Sequence, residues 1–275
     1  LEFECPRILR ELFLHGYMTL ETVKKSRDFY TTTAQYFIDK IGAEEYLIES
    51  KLDIEHILLD SIESENWTEY SSILNSGYPK ESIEYIVKYD DFDAFKEKYD
   101  KKEITKDTKL SISFFESSSP STEAMLDFAA FYNAERIIDF LLEEKSEVTK
   151  RTMECAVLSG SYELCMKLSK LNSRIYIGGL FPISCGVHNN EINQWILDKK
   201  PSFSELTEEN GLLSKAIDSN NMRLTLLLCK FQKIRMFDYN NIMFWAGINN
   251  NFTLLDYLIK EVDLSSKIIE LNSTL

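Results

Sequence analysis

The sequence is poor in the two residues that interrupt helices most strongly, with nine Gly and five Pro among 275 residues. A β-sandwich or barrel of this length would need more turn residues, so this scarcity argues against an all-β fold. The sequence contains no apolar run of about 18 residues, the length that a bilayer-spanning helix requires. These absences favour helices joined by short connections and predict no insertion into a membrane.

The residues and motifs of common catalytic and metal sites are also scarce. The three histidines, His15, His56 and His188, fit neither HExxH nor a zinc-site spacing. Phosphate-loop, dinucleotide-binding and nucleophile-elbow motifs are absent. The sequence therefore predicts that the protein is not an enzyme and has no metal and no cofactor.

Cellular location is predicted from the cysteines and the N-terminus. The five cysteines are an odd number without a CxxC pair, which suits a reducing cytosol better than a disulfide framework. No signal peptide is recognised at the N-terminus, so a cytoplasmic protein is expected. The chain begins with Leu1 rather than Met, as expected of a processed chain or a fragment.

Negative charge dominates and is unevenly placed. The net charge is −14, and residues 1–100 carry 22 Asp and Glu against 11 Lys and Arg, which leaves −3 for the rest. Such a chain repels phosphate groups, so we expect it to bind neither nucleic acid nor an anionic membrane surface.

A pattern of small, turn-forming and apolar residues recurs five times at intervals of 27 to 32 residues. Each copy has a small anchor: Ala129, Ala156, Ser184, Ala216 and Ala246. Four residues later comes a turn-forming residue: Asn133, Gly160, His188, Asn220 and Asn250. Eight and twelve residues after the anchor comes an apolar pair: Ile137 and Leu141, Leu164 and Leu168, Ile192 and Ile196, Leu224 and Leu228, Leu254 and Leu258. An apolar residue also stands three positions before each anchor.

Each position of this frame has a physical reason. A small side chain is expected where two helices cross closely. Gly commonly ends a helix in the left-handed conformation, and Asn and His tolerate positive φ. Apolar residues four apart form the buried stripe of a second helix. Every copy therefore predicts two helices joined by a sharp turn.

The segment 126–142, LDFAAFYNAERIIDFLL, resembles the helical part of an ankyrin repeat, in which two alanines precede a turn and paired apolar residues follow. Residues 121–260 are similar to the divergent ankyrin repeats that are expanded in some protists. The Thr-Pro-Leu-His tetrapeptide that opens a standard repeat is not retained here, apart from its Leu-equivalent position. The resemblance implies an all-α solenoid of stacked helix pairs.

Three regions are predicted along the chain. Residues 121–262 form five ankyrin-like repeats, and residues 263–275 form a C-terminal capping helix. Residues 1–115 form an acidic, N-terminal helical region. Within it, residues 7–50 form helices with apolar stripes that cap the array. Within it, Ser61–Leu74 and Ile86–Tyr99 are candidate helix pairs, interpreted as degenerate repeats.

The ankyrin resemblance also implies where a partner binds, because the second and third residues after the anchor face the concave groove. The candidate contact residues are Phe131, Tyr132, Leu158, Ser159, Val187, Asp218, Ser219, Ile248 and Asn249. Aromatic anchors beside small residues are what a protein-binding surface needs. In the alternative interpretation, Phe131 and Tyr132 pack against the preceding acidic helices.

We therefore expect an interaction module or scaffold that binds another protein, of unknown identity. The first alternative is an enzyme or effector whose site lies in the N-terminal 115 residues, which are acidic and unexplained by the frame. The second is a structural repeat protein that self-associates through the apolar ends of the array.

Overall fold

The computed structural model describes residues 6–25, 33–41, 68–110, 113, 115, 124–199, 216–217, 219, 221–231, 243–244, 246–247 and 251–261. Over these ranges the regular structure is helical and contains no strand, which confirms the all-α prediction. No helix in the described ranges has the length and apolarity to cross a membrane. The chain divides into two units, Leu1–Ala124 and Met125–Leu275. The predicted capping helix at 263–275 lies outside the described residues.

The first unit consists of short helices. They are α1 (Pro6–Leu14), α2 (Leu20–Lys24), a 3₁₀ helix (Ala34–Phe37) that continues into α3 (Ile38–Ile41), α4 (Thr68–Ser76), α5 (Ile83–Lys88) and α6 (Phe92–Asp100). The predicted pair at Ile86–Tyr99 is confirmed, since the chain turns between α5 and α6 there. The described part of the Ser61–Leu74 candidate belongs to the single helix α4.

The stripe of α1 packs into an aromatic core. Leu9 is buried, and the ring of Phe13 meets that of Phe37 edge-on at 5.7 Å. Beside them, the guanidinium of Arg10 donates two hydrogen bonds to the carboxylate of Asp39, at 2.7 and 3.0 Å. Burial opposes ionisation of Asp39, but the hydrogen bond and charge of Arg10 outweigh it and lower the pKa of that carboxyl. Arg10 and Asp39 are therefore a buried ion pair in which each charge is compensated by the other.

The second unit is a succession of helix pairs. Its helices are α7 (Met125–Phe131), α8 (Glu135–Glu143), α9 (Lys150–Ser159), α10 (Tyr162–Leu171), a 3₁₀ helix (Ile177–Leu180) that continues into α11 (Phe181–Ser184), α12 (Asn190–Asp198), α13 (Met222–Phe231) and α14 (Phe252–Glu261). Helices α7 and α8, α9 and α10, and α11 and α12 pack as hairpins. The first helices α7, α9 and α11 contact one another in order, and α12 contacts both α10 and α13.

The turn inside each hairpin has the backbone conformation that the frame predicts. The turn residues Asn133, Gly160 and His188 have φ of 53°, 75° and 56°, in the left-handed region. Asn220 and Asn250 lie outside the described residues. The N–H groups of Asn221 and Asn251 each donate to the carbonyl of their anchor at 2.8 Å, as that of Ala134 donates to the carbonyl of Ala129 at 3.0 Å. This is the hydrogen bond that ends a helix at a left-handed residue.

Burial confirms the other positions of the frame. All five anchors have no exposed surface. The apolar pairs are at most 4% exposed wherever their side chains are described: Ile137, Leu141, Leu164, Leu168, Ile192, Ile196, Leu224 and Leu254. The anchors lie on the first helices, several of which contact one another, as expected if small side chains permit close packing.

The residue after the turn caps the second helix in four of the five copies of the frame. Side-chain oxygens of Ser161, Asn189, Asn221 and Asn251 accept hydrogen bonds from the N–H groups three residues later, at 3.1 to 3.2 Å. Two of these side chains also join consecutive hairpins. The amide of Asn189 donates to the carbonyl of Gly160 at 2.8 Å, and the buried amide of Asn221 donates to that of Cys185 at 3.0 Å.

We expect Asn221→Ala to destabilise the protein more than Ser161→Ala. Both substitutions remove a helix cap, a loss of about 1 kcal/mol. Asn221→Ala also leaves the Cys185 carbonyl without this donor, so its total cost should be about 2–3 kcal/mol. Urea denaturation of both variants measures the difference. Equal losses of unfolding free energy would show that the hydrogen bond between the hairpins contributes nothing.

Candidate protein-binding surface

The described candidate contact residues lie at one end of the first helices. Phe131 ends α7, and Leu158 and Ser159 end α9, whereas Tyr132, Val187 and Ser219 follow in or beside the turns. All six are half-buried. Asp218, Ile248 and Asn249 lie outside the described residues.

Three aromatic side chains form a ledge at the end of α7, comprising Phe128, Phe131 and Tyr132. The ring of Tyr132 lies 4.9 Å from that of Phe131 and 4.9 Å from that of Phe128. Phe128 is 1% exposed and packs against the ring of Tyr132, which in turn contacts the ring of Phe131. Rings held in this way lose little side-chain freedom when a partner covers them. The alternative packing of Phe131 and Tyr132 against the N-terminal helices stays a prediction.

Small residues continue the surface across the next turns, in a turn row comprising Ser159, Gly160, Gly186, Val187 and Ser219. A Cβ atom added to Gly160 would lie 3.5 Å from Cγ1 of Val187. One added to Gly186 would lie 3.7 Å from Oγ of Ser219. The turns of three consecutive hairpins therefore lie close to one another, and the candidate residues Val187 and Ser219 lie among them.

Ser159 has a structural role that the sequence frame does not predict. Its hydroxyl donates to the carbonyl of Ala156 at 2.8 Å and accepts a hydrogen bond from the N–H of Ser161 at 3.3 Å. These bonds close the turn between α9 and α10. The hydroxyl is therefore already used within the hairpin, and what Ser159 adds to the turn row is its small size.

A buried carboxylate joins the two helices that carry the start of this surface. Asp127 lies one helical turn before Phe131, and the hydroxyl of Thr152 on α9 donates to its Oδ1 at 2.6 Å. Burial raises the pKa of Asp127, against the lowering effect of this hydrogen bond. Burial, and next the charge of Asp127, raise the pKa of the Cys155 thiol to about 12. The hydrogen bond holds together α7 and α9, the helices that carry the aromatic ledge and Leu158.

The described residues contain no group of three His, Cys, Asp or Glu side chains that could hold a metal ion. The thiols of Cys155, Cys165 and Cys185 are buried. Burial raises the pKa of Cys165, like that of Cys155, to about 12. Both thiols therefore stay protonated at neutral pH and are poor nucleophiles.

The capping residues are the recurring feature that the frame above does not use. They stand one position after the turn residue: Ala134, Ser161, Asn189, Asn221 and Asn251. Four of these five are residue types that favour the N-cap, so extending the frame by one residue would have found them. Their second role, the hydrogen bond to the preceding hairpin, depends on spatial packing and leaves no separate signal in the sequence.

Asp127→Asn tests the electrostatics of the α7–α9 contact. The amide oxygen still accepts from Thr152, but the buried charge is gone. Because folding raises the pKa of Asp127, the wild-type carboxyl disfavours the folded state once pH rises through its folded pKa. We expect the variant to gain stability relative to wild type between pH 4 and pH 7, as measured by urea denaturation. The exposed Glu163→Gln is the control, and an equal gain in both variants would contradict the expectation.

No protein-family model matches this chain, and no curated protein is significantly similar to it. The ankyrin resemblance thus remains a hypothesis that the residue frame and the hairpin geometry support.

Proposed function

We propose that this protein is a protein-binding module, in which an ankyrin-like solenoid presents the aromatic ledge and the turn row to a partner. The observation that carries the proposal is the repeated hairpin. Three consecutive helix pairs have the same left-handed turn and pack in chain order, so their equivalent surface residues lie side by side.

The contacts between the hairpins support the solenoid. First helices contact first helices, and second helices contact second helices. The side-chain hydrogen bonds between hairpins span 29 and 36 residues, about one repeat each. Stacking of this kind, in which each repeat contacts its neighbours, defines repeat proteins and creates extended binding surfaces.

The chemistry of the surface supports the binding of a protein. Aromatic residues are enriched at the centres of protein interfaces, where they supply most of the affinity. The aromatic ledge offers two partly exposed rings, and the adjoining turn row offers small residues over which a partner chain can approach closely. The acidic composition argues against a nucleic acid as the partner.

The triple variant Phe131→Ala, Tyr132→Ala, Val187→Ala tests the proposed surface. We expect it to weaken partner binding at least tenfold, since truncating interface anchors costs about 2 kcal/mol or more. The partner is first isolated by affinity capture with the unaltered chain, and the affinity of the purified partner is then measured for each variant.

The matched control is the double variant Leu171→Ala, Phe252→Ala, which removes apolar side chains that are 57% and 72% exposed on the same unit. Thermal melts followed by circular dichroism must show that all variants fold. If the triple variant binds the partner as tightly as the unaltered chain, the proposed surface is wrong.

A further inference from the structure

The hairpin of α5 and α6 in the first unit repeats the backbone of the hairpin of α7 and α8. In the first, Asp90 and Lys102 have φ of 51° and 61°. In the second, Asn133 and Lys145 have φ of 53° and 60°. In each hairpin the two left-handed residues are twelve positions apart, and they enclose a helix of nine residues. The two hairpins therefore begin and end their second helices in the same way.

The closing hydrogen bonds agree with this equivalence. The N–H of Asp91 donates to the carbonyl of Ile86 at 2.9 Å, as that of Ala134 donates to Ala129 at 3.0 Å. The second helices end alike, with bonds from Glu103 to Lys98 at 3.0 Å and from Ser146 to Leu141 at 2.9 Å. Ile86 thus takes the anchor position, and the hairpin is a repeat unit displaced by 43 residues.

This equivalence places Tyr89 at the position of Tyr132 in the aromatic ledge. Each of the two rings packs on an aromatic side chain four residues earlier. Tyr89 lies 4.5 Å from Tyr85, and Tyr132 lies 4.9 Å from Phe128. Tyr132 is half-buried, whereas Tyr89 is 52% exposed.

The surroundings of Tyr89 suit a cation. Asp90, Asp91 and Asp93 follow it within four residues, in the stretch of chain that carries a net charge of −11 over residues 1–100. The ammonium of Lys88 already lies 5.9 Å from the centroid of the Tyr89 ring, within the range of a cation–π contact. An aromatic face beside carboxylates attracts Lys and Arg side chains both by charge and by the ring quadrupole.

We propose that Tyr85, Tyr89 and the adjoining carboxylates form a docking surface for a basic segment of a partner protein, whose Lys or Arg side chains lie against the ring of Tyr89. The inference rests on the proposed function, in which Tyr132 faces a partner. It assigns the same role to Tyr89, the equivalent residue of the first unit. Charge complementarity selects the occupant, since a phosphate backbone or an acidic segment would be repelled.

The test uses the full chain and a fluorescein-labelled peptide in which Arg alternates with Ser, with fluorescence anisotropy as the measurement. We expect the Arg peptide to bind and a matched Glu–Ser peptide not to bind. Tyr89→Leu should weaken binding about two- to fivefold, the range of an exposed cation–π contact, whereas Tyr89→Phe should retain the affinity. The control is Tyr17→Leu, because Tyr17 is a 78% exposed tyrosine elsewhere in the same unit.

A second comparison separates the site from general attraction to an acidic protein. Asp93→Asn and Glu11→Gln each remove one negative charge from an exposed residue of the first unit. General attraction weakens equally in both, whereas the proposed surface requires a larger loss in Asp93→Asn. Equal losses in this pair, or equal effects of Tyr89→Leu and Tyr17→Leu, overturn the inference. Tighter binding of a single-stranded oligonucleotide than of the Arg peptide also overturns it.

Failure of this inference and failure of the proposed function give different results. If the Tyr89 and Asp93 variants behave like their controls while the triple variant of the second unit loses its partner, only the inference fails. If the triple variant keeps its partner, the proposed surface of the second unit fails, whatever the Arg peptide does. Circular dichroism of Tyr89→Leu, with Tyr89→Phe as the conservative comparison, shows whether the hairpin remains folded.

Discussion

The left-handed residue that ends each first helix is the constraint on which the second unit depends. One residue with positive φ allows the N–H of the next residue to reach back to the anchor carbonyl, as that of Ala134 does after Asn133. The chain direction then reverses at once, and the second helix starts two residues after the turn residue, at Glu135, Tyr162 and Asn190. With the hairpins so alike, their anchors occupy equivalent positions. Since every anchor is Ala or Ser and fully buried, the first helices can pack closely.

The same constraint separates the residues that build the fold from those that are free to vary. Anchors and apolar pairs are buried and vary little in type, whereas the positions between anchor and turn hold side chains as different as Phe131, Leu158 and Gly186. A surface that changes from hairpin to hairpin on a constant backbone is suited to recognition, because specificity can change without loss of the core. Ser159 shows the limit of this freedom, since its hydroxyl closes the turn beside it.

The hairpins of the second unit could be predicted because periodic apolar residues and a small anchor are local signals, and burial confirms them at Ala129, Ile137 and Leu141. The hairpin of α5 and α6 could be predicted as a degenerate repeat, but its exact position in the frame could not, because Ile86 stands where the frame has a small anchor. The equivalence of this hairpin to the others is visible in its backbone angles rather than in the size of its anchor side chain. That a partner binds at the candidate positions stays a prediction. The proximity of Gly160 to Val187 and of Gly186 to Ser219 could not be predicted, because it depends on how consecutive hairpins stack.

The turn position itself links the fold to recognition. A left-handed backbone accepts few residue types, and those that it accepts differ widely in surface chemistry. Asp90 brings a negative charge, Asn133 an amide, Gly160 no side chain and His188 an imidazole, at nearly the same φ. Exchanging Asp, Asn and His for one another here costs the fold little compared with placing a β-branched residue there. The chemistry at the turn position can therefore change while the backbone of the hairpin stays the same.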